Sequence, residues 1–150
     1  MSLYSVVVPV YNSEHTLTEL YTRLEKVFRE TVQEPFELIL VDDGSKDRSY
    51  QIMEELRQKD PRVKIIQMAR NFGQHPALLC GFSHAEGDFI ITMDDDLQHP
   101  PEEIPKLINT IRERDDVDVI IASYERSEER RVGKEGRSQC EADHNKKNES

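Results

Sequence analysis

Asp94, Asp95 and Asp96 stand in a row directly after Phe89-Ile90-Ile91-Thr92, an apolar run that reads as a buried strand. Three neighbouring carboxylates at a strand end repel one another and lose hydration together. A divalent cation relieves that cost, because hard cations take oxygen ligands from carboxylates and amides. In an extended chain the i, i+2 pair Asp94 and Asp96 points the same way, and Gln98 adds an amide oxygen to that face. These residues alone leave a second reading open. A solvated acidic turn before the helix that begins near Glu102 would suit the helix N-terminus equally well.

A site of this kind needs elements to hold it. Tyr4–Val10, Phe36–Val41, Val63–Met68, Phe89–Thr92 and Val117–Ala122 are apolar, β-branched runs and read as five strands. Between them lie helical patterns. Leu17, Leu20, Tyr21, Leu24, Val27 and Phe28 keep helical spacing to about Glu30, with Thr16 and Glu19 set as a capping box. Ile52, Met53 and Leu56 face inward on a second helix, with Asp47 as its N-cap. Pro76 fits the first helical position of a third, short helix closing at Gly87, whose small residues predict close packing on the sheet. Ile104, Leu107, Ile108 and Ile111 mark a fourth helix to about Arg114. Strand and helix alternate with no hairpin signal, so the fold class is α/β with a mainly parallel sheet flanked by helices.

Charge and composition narrow the function. The chain has 150 residues, 33% of them charged, and a net charge of −10. That balance argues against a nucleic-acid backbone as partner. No apolar run approaches the roughly 20 residues of a membrane span. Met1-Ser2-Leu3-Tyr4 lacks the basic and apolar regions of a signal peptide, so a cytoplasmic location is expected. From Glu125 onward seven basic and seven acidic residues cancel, and the whole −10 resides in residues 1–124. Ser127 to Ser150 offers only Val132, Cys140 and Ala142 as apolar side chains. The expected division is one domain over residues 1–124 and a polar, disordered tail over 125–150, read as an appended or misread stretch.

Ligands of open α/β sheets bind beyond the carboxyl ends of the strands. The segments that follow the first four strands are Tyr11-Asn12-Ser13-Glu14, Asp42-Asp43-Gly44-Ser45, Arg70-Asn71-Phe72-Gly73 and Asp94-Asp95-Asp96-Leu97-Gln98. All four carry polar functional groups and three are acidic. Their carboxylates can serve ribose hydroxyls, a nucleobase N–H or a metal, and Arg70 can meet a phosphate. Neither G-x-G-x-x-G nor a P-loop is present. A diphosphate would therefore be held by a metal and Arg70 instead of a glycine-rich cradle.

Val8-Pro9-Val10-Tyr11-Asn12, Val41-Asp42-Asp43-Gly44-Ser45 and Asp94-Asp95-Asp96-Leu97-Gln98-His99-Pro100-Pro101-Glu102 resemble the three signatures of family 2 glycosyltransferases of the GT-A, Rossmann-like fold. The resemblance covers about residues 4–124. Arg70-Asn71-Phe72-Gly73-Gln74-His75 and the D-x-D-L-Q-x-P-P-E form are similar to those of polyprenyl-phosphate sugar transferases. That group includes dolichyl-phosphate mannose synthase and the bacterial undecaprenyl-phosphate glucose and aminoarabinose transferases.

The resemblance implies a metal-dependent, inverting transfer of a sugar from a nucleoside-diphosphate sugar to a polyprenyl phosphate, at the cytoplasmic face of a membrane. It implies Mg2+ or Mn2+ as cofactor. Asp43, with Asp42 beside it, would bind the base and ribose, helped by Pro9, Tyr11 and Asn12. Asp94 and Asp96 would be the D-x-D pair at ribose, diphosphate and metal, with Asp95 on the donor side and Gln98 a further metal contact. Many members carry Glu directly after the motif Asn. Here Ser13 holds that place, and Glu14, one residue on, is the corresponding donor contact. Arg126 is the nearest match to the acceptor-phosphate arginines past the fifth strand.

A phosphate acceptor is already an anion and needs no general base, whereas a hydroxyl acceptor needs one. No carboxylate after the fifth strand sits in a base motif, which favours phosphate. Three alternatives stand beside this reading: a glycan hydroxyl acceptor, a donor-binding fragment without activity, and a signalling receiver domain. The receiver would want acids where Asn12 and Arg70 stand and a lysine where Ser123 stands. The sequence does not name the sugar, the base or the oligomeric state.

Overall fold

The computed structural model describes residues 2–113, 119–122 and 127–129. Its elements are β1 (Tyr4–Val10), α1 (Leu17–Val27), β2 (Phe36–Asp42), α2 (Ser49–Lys59), β3 (Val63–Gln67), α3 (Gln74–Ser83), β4 (Phe89–Thr92), α4 (Ile104–Glu113), β5 (Val119–Ala122) and β6 (Ser127–Glu129). The sheet order is β3-β2-β1-β4-β5-β6. β1 to β5 run parallel, and β6 pairs antiparallel with β5. A receiver domain has the order 2-1-3-4-5. The observed order removes that alternative.

Every residue of β1 and β2 is buried, because helices cover both faces. Side chains alternate across the strand plane. Tyr4, Val6, Val8 and Val10 enter one core with Leu17, Leu20 and Leu24 of α1, Met53 of α2, and Ile104 and Ile108 of α4. Val7, Ile39 and Val41 enter the other, against Ala77, Cys80 and Phe82 of α3. The close approach expected of α3 is present at Gly81, where an added Cβ would lie 2.3 Å from Val7 Cγ1.

Some local expectations change. The capping box does not form, because Thr16 Oγ1 donates to the Asp95 carbonyl oxygen instead (2.6 Å). After Val27 the helix widens into a π turn, Phe28–Val32, closed by Gln33 at φ 58°. Phe28 there stacks on Phe36 with ring centroids 4.5 Å apart. α3 begins at Gln74, two residues before Pro76, which still falls in the first turn, where its missing N–H costs nothing. A short 3-10 turn, Pro101–Glu103, leads into α4. β6 has no counterpart among the sequence expectations. Its Ser-Glu-Glu sequence shows no apolar alternation, and it is defined by main-chain pairing with β5.

The turn between α2 and β3 is tied to α1 by Asp60. Tyr21 donates to its Oδ2 (2.7 Å), and Arg62 donates to both oxygens (3.0 and 2.8 Å). The Arg62 side chain, then the Arg62 backbone N–H and Tyr21, hold the Asp60 carboxyl down to about 2 from 3.8, overcoming the upward push of burial.

Two predictions arise from this packing. Gly81→Ala should destabilise the domain by about 1–3 kcal/mol through overpacking, and adding Val7→Ala should restore part of the loss in a urea melt. A Gly81→Ala chain as stable as the parent would mean that α3 floats on the sheet. For Asp60 the sign follows from its depressed carboxyl. The stability it contributes is present above the unfolded value near 3.8 and is lost as pH falls towards about 2. The stability gap between the wild type and Asp60→Asn should narrow across that window, and a constant gap would sink the assignment.

Candidate functional site

Strand order reverses between β1 and β4, so the chain leaves these neighbours in opposite directions and a crevice opens above them. A pocket of about 360 Å³ lies at this edge, lined by Pro9, Val10, Tyr11, Asp43, Asn71, Gly73, Gln74, Asp94, Asp95 and Asp96. Its size lies within the range of small-molecule sites. Of the residues chosen from sequence, it brings together Pro9, Tyr11, Asp43, Asp94, Asp95 and Asp96.

The loop after β3 is carried by Asp43. Its two carboxylate oxygens accept the backbone N–H groups of Phe72 (2.8 Å) and Gly73 (3.0 Å). Asp43 is 4% exposed, and burial pushes its carboxyl up despite these donors. Gly44 makes the approach possible. It sits at φ 80°, and a Cβ there would lie 2.6 Å from the Asn71 nitrogen. Two loop backbones thus touch without an intervening side chain.

Asp95 joins the acidic loop to the loop after β1. Its Oδ2 accepts from the Tyr11 backbone N–H (3.0 Å) and from the Ser13 hydroxyl. Burial raises its carboxyl, with these two donors acting the other way. The chain does not stay extended here: it turns at Asp95 and Asp96, and Leu97 adopts φ 64°. Asp94 and Asp96 nevertheless face one pocket. Gln74 Nε2 donates to Asp94 Oδ1 (3.0 Å), and the Gln98 backbone N–H donates to Asp96 Oδ1 (3.1 Å). Arg23 of α1 steadies the exit of the loop by donating from Nε to Glu102 (3.1 Å), and this guanidinium lowers the Glu102 carboxyl.

Asn12, Glu14, Asp42, Arg70 and Gln98 are not among the pocket-lining residues. Asn12 fastens the loops after β1 and β2 together: its N–H donates to Ser45 Oγ (2.9 Å) and its Oδ1 accepts from Lys46 N (2.9 Å). Glu14 accepts from Arg48 N while its own N–H donates to Asp47 (both 3.1 Å), at the start of α2. Asp47 Oδ1 also accepts from Ser49 N (2.9 Å), but from one residue before the helix cap: Arg48 takes the N-cap position expected of Asp47. Asp42 is fully buried, accepts from Ser45 N (3.1 Å), and has its carboxyl raised by burial. Arg70 is exposed with its guanidinium over the Phe72 ring (4.8 Å). The reversal at Leu97 brings the Gln98 backbone to Asp96 and leaves its side chain exposed. Arg126 lies outside the described residues.

Val10, Asn71, Gly73 and Gln74 line the pocket without having been singled out. The signal available in the sequence for Asn71, Gly73 and Gln74 was their place in the Arg70-Asn71-Phe72-Gly73-Gln74-His75 stretch.

Among the described residues, no three of His, Cys, Asp and Glu gather as a metal cage. A divalent cation still fits the donor set. Mg2+-type ions are commonly held by one or two carboxylates with the remaining ligands from phosphate and water, and Asp94 and Asp96 supply two in one pocket. No described helix is long and apolar enough to cross a membrane.

Comparison with known proteins places this geometry in context. The family model for glycosyl transferase family 2 matches residues 5–148. An undecaprenyl-phosphate 4-deoxy-4-formamido-L-arabinose transferase of Proteus mirabilis is 51% identical over 114 residues, 75% of this chain and 35% of that protein. The uncharacterized glycosyltransferase YkcC of Bacillus subtilis is 49% identical over 110 residues, 73% of this chain and 34% of that one. The chain thus spans about a third of the length of these curated relatives. Among solved structures, Staphylococcus aureus TarS 1–349 in complex with UDP superposes with TM-score 0.58 at 33% identity, covering 73% of this chain and 32% of that one. The mannosyltransferase PcManGT of Pyrobaculum calidifontis, in complex with GDP-Man and Mn2+, gives TM-score 0.61 at 20% identity over 74% of this chain and 32% of that one, a likeness of fold.

The double acceptance by Asp43 can be tested directly. Asp43→Asn turns one acceptor into a donor facing an N–H, and should destabilise the domain by about 1–3 kcal/mol. Hydrogen exchange at the Phe72 and Gly73 amides should quicken more than elsewhere. Unchanged protection at those two amides would show that the loop is held by something else.

Proposed function

The chain belongs to glycosyl transferase family 2 and has its GT-A fold, and from that premise we propose that it is the donor-binding part of a sugar transferase acting on a polyprenyl phosphate. The donor is a nucleoside-diphosphate sugar, and the acceptor is undecaprenyl phosphate or a lipid of the same class. The observation that carries this reading is the convergence of Pro9, Tyr11, Asp43, Asp94 and Asp96 on one pocket at the strand-order reversal. Further support comes from relatives. The Proteus mirabilis transferase is named for undecaprenyl phosphate, and TarS was solved with UDP.

In this reading Tyr11, 45% exposed at the pocket rim, offers its ring to the base. Asp43 keeps the Phe72–Gly73 backbone in place, and its remaining lone pairs accept from the base. Asp96, with Asp94 beside it, would hold Mg2+ or Mn2+, and the diphosphate would share the cation. The bound cation supplies Lewis-acid stabilisation of the departing nucleoside diphosphate. The acceptor phosphate oxygen attacks the anomeric carbon from the face opposite the leaving group, so configuration inverts. That oxygen is already anionic, and no side chain has to remove a proton. The work of the chain is therefore positioning and charge management. Arg126 remains the acceptor-side candidate, and membrane association at the cytoplasmic face belongs to the whole protein.

Calorimetry with UDP- and GDP-sugars in Mn2+ tests the reading. Binding is expected for one base series and should vanish in excess EDTA. Asp96→Asn should weaken metal-dependent binding by about tenfold or more, as expected when a charged ligand worth ~1.5–3 kcal/mol is lost. Donor affinity that is indifferent to EDTA would remove the metal from the proposal. Failure of every nucleotide sugar to bind would remove the donor role itself.

A further inference from the structure

Gln74 is the first residue of α3, exposed, and in contact with the acidic loop across the crevice. Its backbone position is not free. The preceding residue, Gly73, gives its N–H to Asp43 and takes the Ala77 N–H on its carbonyl (3.3 Å). The loop after β2 thereby fixes where the Gln74 side chain starts, and the Gln74 amide fixes one oxygen of Asp94 at 3.0 Å. Only the NH2 end of the amide can face a carboxylate, since two oxygens would repel, so the orientation is set by chemistry.

We propose that Gln74 is a positioning residue that keeps Asp94 from chelating the cation and so leaves Asp96 as its main carboxylate ligand. The inference rests on the donor-site reading above. An amide suits the task because it offers a donor without a charge. A lysine there would neutralise Asp94, and a glutamate would repel it. With Oδ1 occupied, Asp94 has a single oxygen to present to the donor. Asp96 is exposed and accepts a backbone N–H from two residues away in its own loop, so it can turn to a ligand. The consequence is a pocket that holds a free cation weakly and completes its coordination with the diphosphate. Cation and nucleotide then bind as mutually dependent ligands.

The test uses the intact chain, with Mn2+ alone titrated by its electron paramagnetic resonance signal, and UDP or GDP with Mn2+ by calorimetry. Gln74→Ala frees Asp94 Oδ1, so Mn2+ alone should bind about three- to tenfold tighter, while the nucleotide–Mn2+ pair binds a similar factor more weakly, the scale of one charge-assisted hydrogen bond at an exposed position. Gln74→Glu adds a third carboxylate and should tighten Mn2+ alone further still. Both changes lie on an exposed side chain, so thermal melts should stay close to the parent. A Gln74→Ala chain with parental affinity for Mn2+ alone overturns the proposal, whatever its nucleotide affinity. Should the wild type bind no nucleotide with any cation, the donor reading fails separately, and the Mn2+-only comparison still decides the role of Gln74.

Discussion

Five carboxylates share one edge of a small sheet, and the structure meets their repulsion with neutral dipoles. Asp42 accepts from Ser45 N, Asp43 from Phe72 N and Gly73 N, Asp94 from Gln74 Nε2, Asp95 from Tyr11 N, and Asp96 from Gln98 N. Among the described residues no lysine or arginine is paired with any of the five. Amide dipoles lower the cost of the charge without cancelling it. In the proposed function, a cation brought in with a nucleotide would meet carboxylates already aimed. The loops after β1, β2, β3 and β4 take their shapes largely from serving as donors to these acids.

The opposite end of the sheet follows another rule. Glu37 is buried there with Lys64 Nζ at 2.6 Å, accepts from Glu86 N at 2.7 Å, and is also bonded by Ser5. Burial pushes its carboxyl up, but Lys64 and the other donors prevail and hold it below the usual range. Buried charge away from the crevice is thus met by opposite charge, as it is at Asp60 and Arg62. Ion-paired acids below and amide-held acids above are thus two different answers to buried or crowded negative charge.

Much of this was legible in the sequence because it depends on period and order. Val6, Val8 and Val10 alternate with Val7, Leu17 to Val27 keep helical spacing, and acids follow strand after strand; these features fixed the α/β class and the pocket edge. The allocation of roles within the edge was not legible. Asp42 and Asp43 are adjacent identical residues, yet one is sealed beneath Ser45 and the other lines the pocket, a difference set by strand register. Glu14 and Asn12 have the chemistry of ligand contacts but spend it on loop-to-loop hydrogen bonds. Gln74 carried no signal as a single residue, because its meaning comes from a partner twenty positions away. Main-chain partners such as those of β6 leave no trace in side-chain pattern at all.

The contact between Gly44 and Asn71 also bears on how such a pocket can change over time. With no side chain between them, the two backbones act as mutual rulers, and Asp43 locks the next two residues of the same loop. Insertions in either loop would separate them and release the lock, so neither can grow to accommodate a larger or differently shaped ligand. Diversification of this half of the pocket is confined to exchanging side chains in place, at positions such as 71 and 74. A change of shape on this side of the crevice is then left to the loops after β1 and β4, which line the rest of the pocket.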